Sequence, residues 1–262
     1  MMKKSLIDLA FLSEKRKDVL LLLEEGPKTG EDIKTALNVK STSIMPQIKK
    51  LKDGHLIVQD NKNNYQLSGM GKLVVEKMGP LLDTVRVFEE NYDYWINHDF
   101  TVIPEYLRNR INELGNYFMF EADLNRLFEI PEDFKNNFLE SCYIKIFLSY
   151  FNPLYLEIYS ELARKGAELH LILTEPIFSR MNKDYYENLK YLIESKNTEI
   201  YICNKEVNLE NVVTERFCSL VLFDKKGKFD HQRLISYDKS AIKWCEGLFL
   251  YYKEISLLLE KL

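Results

Sequence analysis

Residues 41 to 74 restrict most tightly what this chain can fold into. In STSIMPQIKKLKD, Ile44, Ile48 and Leu51 fall at i, i+4 and i+7, one apolar stripe of a helix, and they leave Met45, Gln47, Lys49, Lys50 and Lys52 toward other faces. GHLIVQ is then a short apolar run, DNKNN a turn, and Tyr65 and Leu67 alternate with polar neighbours, which is the signal of a β-hairpin. GMGKLVVEKM returns to helix. Upstream, Ser13 caps a helix carrying Val19, Leu20 and Leu23 and stopped by Gly26 and Pro27. Thr29 or Gly30 opens a second, short helix with Ile33, Ala36 and Leu37 on one face, and Asn38 can close it in the left-handed conformation. Pro46 favours a third helix that begins at Ser43, so that the proline falls in the first turn, or one that bends mildly.

Three helices followed by a hairpin is the plan of a winged helix-turn-helix, whose third helix enters the major groove while the hairpin tip touches backbone or minor groove. The same layout can also serve as a small interaction module. A short second helix, a tight connection through Val39 and Lys40, a cap-rich start to the third helix and an Asn/Lys hairpin tip together favour DNA over that module. Residues 1–79 hold fourteen Lys and Arg against ten Asp and Glu, whereas residues 80–262 hold twenty-two against thirty, so a basic front sits on an acidic body and suits a polyanion at the front alone. The expected contacts are the hydroxyls of Ser41, Thr42 and Ser43 on phosphate oxygens, Gln47 on a base edge, Lys49, Lys50 and Lys62 on phosphates, and Asn63 and Asn64 at the hairpin tip.

Residues 80–103 form the next expected segment. LLDTVRVFEENYDYWINH has Leu82, Val85, Phe88, Tyr92 and Trp95 at spacings of three and four, which reads as a linker helix on which two copies could meet or which packs on its own chain. Residues 104–262 then alternate helices and strands, which implies an α/β domain with a mostly parallel sheet, covered on both faces, and an antiparallel hairpin at one edge. The fold class is therefore α/β behind an all-α front with a wing.

Several functions are excluded or disfavoured by what the text lacks. No stretch approaches the apolar length of a membrane span, and Asp8 and Glu14 interrupt any signal-peptide core, so a cytoplasmic protein is expected. Cys142, Cys203, Cys218 and Cys245 are widely spaced, which points to buried reduced thiols, and His55, His98, His170 and His231 add no metal-ligand spacing. No metal and no cofactor is expected. There is no glycine-rich phosphate loop and no GxSxG elbow. His231, Arg233 and Asp238 do fall at the spacing of the HxKxxxxD motif of phospholipase D-like enzymes, with Arg in place of Lys, but only one copy is present where that chemistry uses two. Polar residues on an edge strand and at a helix cap account for them better. In open α/β sheets ligands sit beyond the carboxyl ends of strands, which nominates Ser149, Tyr150, Asn152, Thr174, Glu175, Asn204 and Asp238 by position alone.

MPQIKKLKDGHLI, YQLSGMGKLV and LISYDKSAIKWCEGLFLYYKE together resemble the archaeal winged-helix regulators of the methanogenesis regulatory protein family. The most specific part is the pattern Ser236, Asp238, Ala241, Trp244, Gly247, Leu248, Phe249, Tyr251 and Tyr252. The resemblance implies a transcription regulator with an amino-terminal winged helix and a carboxy-terminal, phospholipase D-like sensor fold without the enzyme's chemistry. The expectation is thus a non-enzymatic homodimer on double-stranded DNA, divided as 1–79, 80–103 and 104–262 and tuned by an unknown small-molecule effector. A phosphodiesterase-like enzyme and a protein-interaction module are the alternatives.

Overall fold

A computed structural model describes residues 5–121 and 132–260 and divides the chain into two compact units, Met1–Asp83 and Thr84–Leu262. The first unit runs α1 (Leu6–Phe11), α2 (Glu14–Leu22), α3 (Gly30–Ala36), α4 (Ser41–Asp53), β1 (Ile57–Gln59), β2 (Tyr65–Leu67) and the start of α5 (Gly69–Glu90). Its core gathers Val19, Leu20, Ile33, Ile44, Ile48, Leu51, Val75 and Met78, so the i, i+4, i+7 stripe of α4 is the inward one. Each of those three side chains contributes on the order of 1.5–3 kcal/mol by leaving water. Helix α3 opens with a capping box in which Thr29 and Asp32 satisfy each other's backbone N–H groups, and Asn38 follows it at φ +48°.

Three local expectations need correction. Helix α1, capped by Ser5, was not foreseen; it buries Leu9 and Ala10. Helix α4 starts at Ser41, with Lys40 rather than Ser43 at the cap, so Pro46 lies at its sixth position and leaves the Thr42 carbonyl without its usual donor. The hairpin is followed by one helix, α5, that runs through Pro80 instead of stopping before a separate linker.

The second unit continues through α6 (Tyr92–Asn97), α7 (Glu105–Arg108), β3 (Phe118–Glu121), α8 (Glu132–Leu139), β4 (Tyr143–Leu148), α9 (Pro153–Lys165), β5 (Glu168–Thr174), α10 (Glu175–Asp184), α11 (Tyr186–Glu194), β6 (Thr198–Cys203), β7 (Leu209–Thr214), β8 (Cys218–Leu222), β9 (Gln232–Ser236), α12 (Lys239–Glu254) and β10 (Leu257–Leu258). The sheet order is β10-β6-β5-β4-β7-β8-β9-β3. Among the described residues only β4, β5 and β6 are parallel to one another and every other pairing is antiparallel, so the sheet is mixed and not mostly parallel. The reason is β7, which inserts antiparallel beside β4 and sets the direction of β8, β9 and β3.

Alternation along the strands divides the core. Ile144, Ile146 and Leu148 face Leu156, Leu162 and Leu189 on one side of the sheet, and Phe147 faces Trp244, Leu248 and Phe249 of α12 on the other. Val87, Tyr94 and Trp95 of the expected linker belong to this second layer, so residues 84–103 pack on their own chain as part of the rear unit. The C-terminal sequence pattern is largely a packing pattern: Ala241, Trp244, Leu248, Phe249 and Tyr252 are all buried, and the Trp244 indole donates to the Leu107 carbonyl at 3.0 Å. Among the described residues no helix is long and apolar enough to cross a membrane, and no cluster of His, Cys, Asp or Glu is arranged to hold a metal ion.

Candidate nucleic-acid interface

Burying Ile44, Ile48 and Leu51 turns the rest of α4 outward. Ser41, Thr42, Met45, Pro46, Lys49, Lys50, Lys52 and Asp53 are exposed. Ser43 is half-buried, and its hydroxyl donates to the Lys40 carbonyl at 2.8 Å across the first turn. Lys49 and Lys50 extend into solvent, whereas Lys52 Nζ donates to Gln59 Oε1 of the hairpin at 2.8 Å. Gln47, the expected reader of a base edge, is half-buried and accepts at Oε1 from Arg16 Nη1 at 3.0 Å. The same guanidinium donates to the carbonyls of Leu9 at 2.6 Å and Asp8 at 2.8 Å, so it ties α1, α2 and α4 together.

The hairpin is short and held from both sides. Ile57 pairs with Leu67, Val58 with Gln66 and Gln59 with Tyr65. Tyr65 also exchanges two backbone bonds with Lys28, at 2.8 and 3.0 Å, which adds a partial third strand. At the tip, the Asp60 carboxylate accepts from the Lys62 N–H at 2.8 Å, the Asn64 N–H at 2.9 Å and the Asn64 side-chain amide at 3.0 Å. These bonds, led by the Asn64 side chain and with Lys62 adding its charge, hold the Asp60 carboxyl below the usual aspartate range. Asn63 takes φ +63°, the left-handed conformation that asparagine tolerates in turns. Asn64 is thus a turn-forming residue, while Lys62 and Asn63 are left exposed at the tip.

Of the rear candidates, Ser149, Tyr150, Asn152, Thr174, Glu175 and Asn204 share the carboxyl ends of β4, β5 and β6, and Asp238 does not. Ser149 and Thr174 follow or end the neighbouring parallel strands β4 and β5, but the Ser149 hydroxyl is committed to Leu209, donating to its carbonyl at 2.6 Å and accepting from its N–H at 2.9 Å. Thr174 is buried at the start of α10. Strand β9 runs antiparallel to β4, so Asp238, which follows it, lies at the opposite end of the sheet and accepts there from the Asn116 N–H at 2.9 Å. The same strand separates His231 from Asp238 by about 20 Å of extended backbone, so the enzyme-like spacing assembles no acid–base pair within this chain. Arg233 points inward, where it pairs with Glu210 at 2.7 Å and donates to Ser219 Oγ at 2.9 Å. Although burial alone would depress it, the Glu210 charge raises the Arg233 pKa above its ordinary value. Such a neutralised guanidinium is not presented to a phosphate.

Glu210 is the polar residue that the sequence reading missed. It is 2% exposed, and its second oxygen has no partner among the described residues. A cleft of about 440 Å³ beside α6 is lined by Glu90, Asp93, Glu121, Asp230 and the buried His98, with no Lys or Arg among its described lining residues, so it disfavours anions. Three thiols are buried as expected, but Cys142 is exposed.

Comparison with known proteins agrees with the two-unit division. Residues 4–86 match the N-terminal domain, and residues 127–255 the middle domain, of the methanogenesis regulatory protein FilR1. The chain is 26% identical over 257 residues to methanogenesis regulatory protein FilR1 of Methanothrix harundinacea (strain 6Ac), an alignment that takes in 93% of this chain and 56% of that protein. The chain therefore spans little more than half the length of this curated relative. Among solved structures it is similar to TrmBL2, an archaeal chromatin protein, with 12% identity, 96% of each chain covered and a TM-score of 0.43. It is also similar to Nuc, a phospholipase D family member from Salmonella typhimurium, with 9% identity, 56% of this chain and 100% of that one covered and a TM-score of 0.39.

Proposed function

Because the chain belongs, through both its N-terminal and its middle domain, to the methanogenesis regulatory protein FilR1 family, we propose that it is a transcription regulator that binds duplex DNA through its first unit. The observation that carries this reading is the outward face of α4. Ser41, Thr42, Lys49 and Lys50 stand exposed on a helix whose other side is locked into the core, and Lys62 and Asn63 stand exposed at the hairpin tip beyond it. Helix α4 lies in the major groove, the Ser41 hydroxyl and the lysines meet phosphates, and the hairpin tip touches the backbone.

The regulator acts as a homodimer in this reading, with Leu81, Val85 and Tyr92, all exposed, as the apolar side chains available to a second copy. The second unit receives a small effector near the carboxyl ends of β4, β5 and β6, where Tyr150, Asn152 and Thr174 lie. It performs no phosphodiester chemistry.

The test is fluorescence anisotropy of the full chain on duplex DNA from its own upstream region and on random duplex, across a salt series. Neutralising a phosphate releases counterions, so log affinity falls with log salt at about −0.9 per contact. The Lys49→Ala and Lys50→Ala variants are each expected to flatten that slope by about one contact. Absence of binding even at low salt sinks the proposal.

A further inference from the structure

The outward face of α4 is poor in the groups that read DNA by hydrogen bonds. Arginine or lysine suits guanine, and asparagine or glutamine suits adenine. Helix α4 contains no Arg and no Asn, and its one Gln is held by Arg16. Its lysines that point to solvent, Lys49 and Lys50, lie in the second half of the helix. The N-terminal part, which meets base edges in helix-turn-helix docking, exposes Ser41, Thr42, Pro46 and Met45, the last 37% exposed.

Pro46 is the unexpected member of this set. A proline at the sixth position of a helix deletes a backbone bond and crowds the preceding turn. Being exposed, it contributes nothing to the core in return. Thr42, Pro46 and Lys49 follow one another at spacings of four and three and so form a single row down the outward face, with Met45 beside it. The one base-edge feature that an apolar surface recognises in the major groove is the C5 methyl group of thymine.

Building on the DNA-binding reading above, we propose that Thr42, Met45 and Pro46 read thymine methyl groups, so that sequence choice by this protein rests on apolar contact in the first half of α4 and phosphate contact elsewhere. The recognised half-site carries thymines where these three side chains meet the groove. Uracil pairs as thymine does but lacks the methyl, and it is therefore the discriminating probe.

The experiment begins by enriching duplexes from a random pool on the full chain and then replaces each fixed thymine in turn by deoxyuridine. Loss of each read methyl is expected to weaken binding about fourfold, as the removal of one buried methyl-sized group does, at an unchanged salt slope. Met45→Ala and Pro46→Ala are each expected to lose the thymine-over-uracil preference at one fixed position and to keep it at the others. Pro46→Ala restores a backbone donor to α4, so it is expected to melt no lower than the wild type, and its loss of discrimination then cannot come from unfolding. Enriched duplexes without fixed thymines, or equal affinity of the wild type for thymine and uracil duplexes, overturn methyl reading while leaving DNA binding intact. No enrichment together with no salt-dependent binding overturns the DNA reading itself.

Discussion

Arg16 donates to Gln47 across 3.0 Å, and through this bond a residue suited to read a base serves as a strut between α2 and α4. Removing the guanidinium by Arg16→Ala forfeits three charge-assisted bonds, those to Leu9 and Asp8 included. The first unit is expected to lose about 2–3 kcal/mol, read as a shifted urea midpoint. Gln47→Ala is expected to lose about 1 kcal/mol and to leave DNA affinity nearly unchanged under conditions where the protein remains folded. A large loss of affinity at unchanged stability would return Gln47 to the groove.

Glu210 and Arg233 form the buried ion pair of the second unit, 2% and 8% exposed. Truncating one partner strands the other charge away from water. Glu210→Ala is expected to destabilise by about 3–5 kcal/mol, and the double variant Glu210→Ala/Arg233→Met by less than the single one. Chemical denaturation of the three proteins checks the order; a double variant that is worse than both singles contradicts it.

At the hairpin tip the Asp60 carboxyl titrates below its ordinary value of 3.8, because Asn64 and Lys62 bond its charged form. A depressed folded pKa means that the contribution is fully present above the ordinary aspartate range and is lost as pH falls through the lowered value. The amide resonances of Lys62 and Asn64 are expected to shift together in acid, below pH 4, with the midpoint under that of an unstructured aspartate. Asp60→Asn should abolish the step. A midpoint at or above the ordinary value would show that the turn does not hold the carboxylate.

Thiol chemistry distinguishes the four cysteines. Cys142 is exposed, while Cys203, Cys218 and Cys245 are buried; burial, with the Cys218 sulfur against it, pushes the Cys245 thiol well up. One thiol is expected to react promptly with a disulfide reagent and three only on unfolding. Prompt reaction of two or more in the native protein, or persistence of the fast thiol in Cys142→Ser, would contradict the assignment.

The first unit was legible because its signals are local. The Ile44, Ile48, Leu51 stripe, the Asn-rich turn and the Thr29 cap each act within a few residues of themselves, and all three stand where they were expected. Two differences there are local, the Ser5-capped α1 and the Ser41 start of α4, whereas the bond between Gln47 and Arg16 spans thirty-one positions. Strand β7 shows the same limit more sharply. In LENVVT, Glu210 and Asn211 disfavour a strand, and Arg233 and the Cys245 carbonyl, supplied by β9 and α12, make their burial tolerable. Alternating helices and strands imply a mostly parallel sheet, and β7 is the strand that breaks that alternation. Helix α10 is hard to see in the text because SRMNKD is polar, although Pro176 in its first turn favours the start after Thr174.

The placement of β7 also governs when the second unit can exist. Ile144 pairs with Thr214, and Phe118 with Ile235, so the middle and one edge of the sheet close only across gaps of seventy to more than a hundred residues. Such closures are slow compared with those of the first unit, whose hairpin joins Ile57 to Leu67. During synthesis the first unit is therefore complete while the second still lacks β7, β8, β9 and α12, and the strands already made wait with unpaired edges. A chain halted before β7 would carry the first unit whole and, in the second, a sheet with open strand edges.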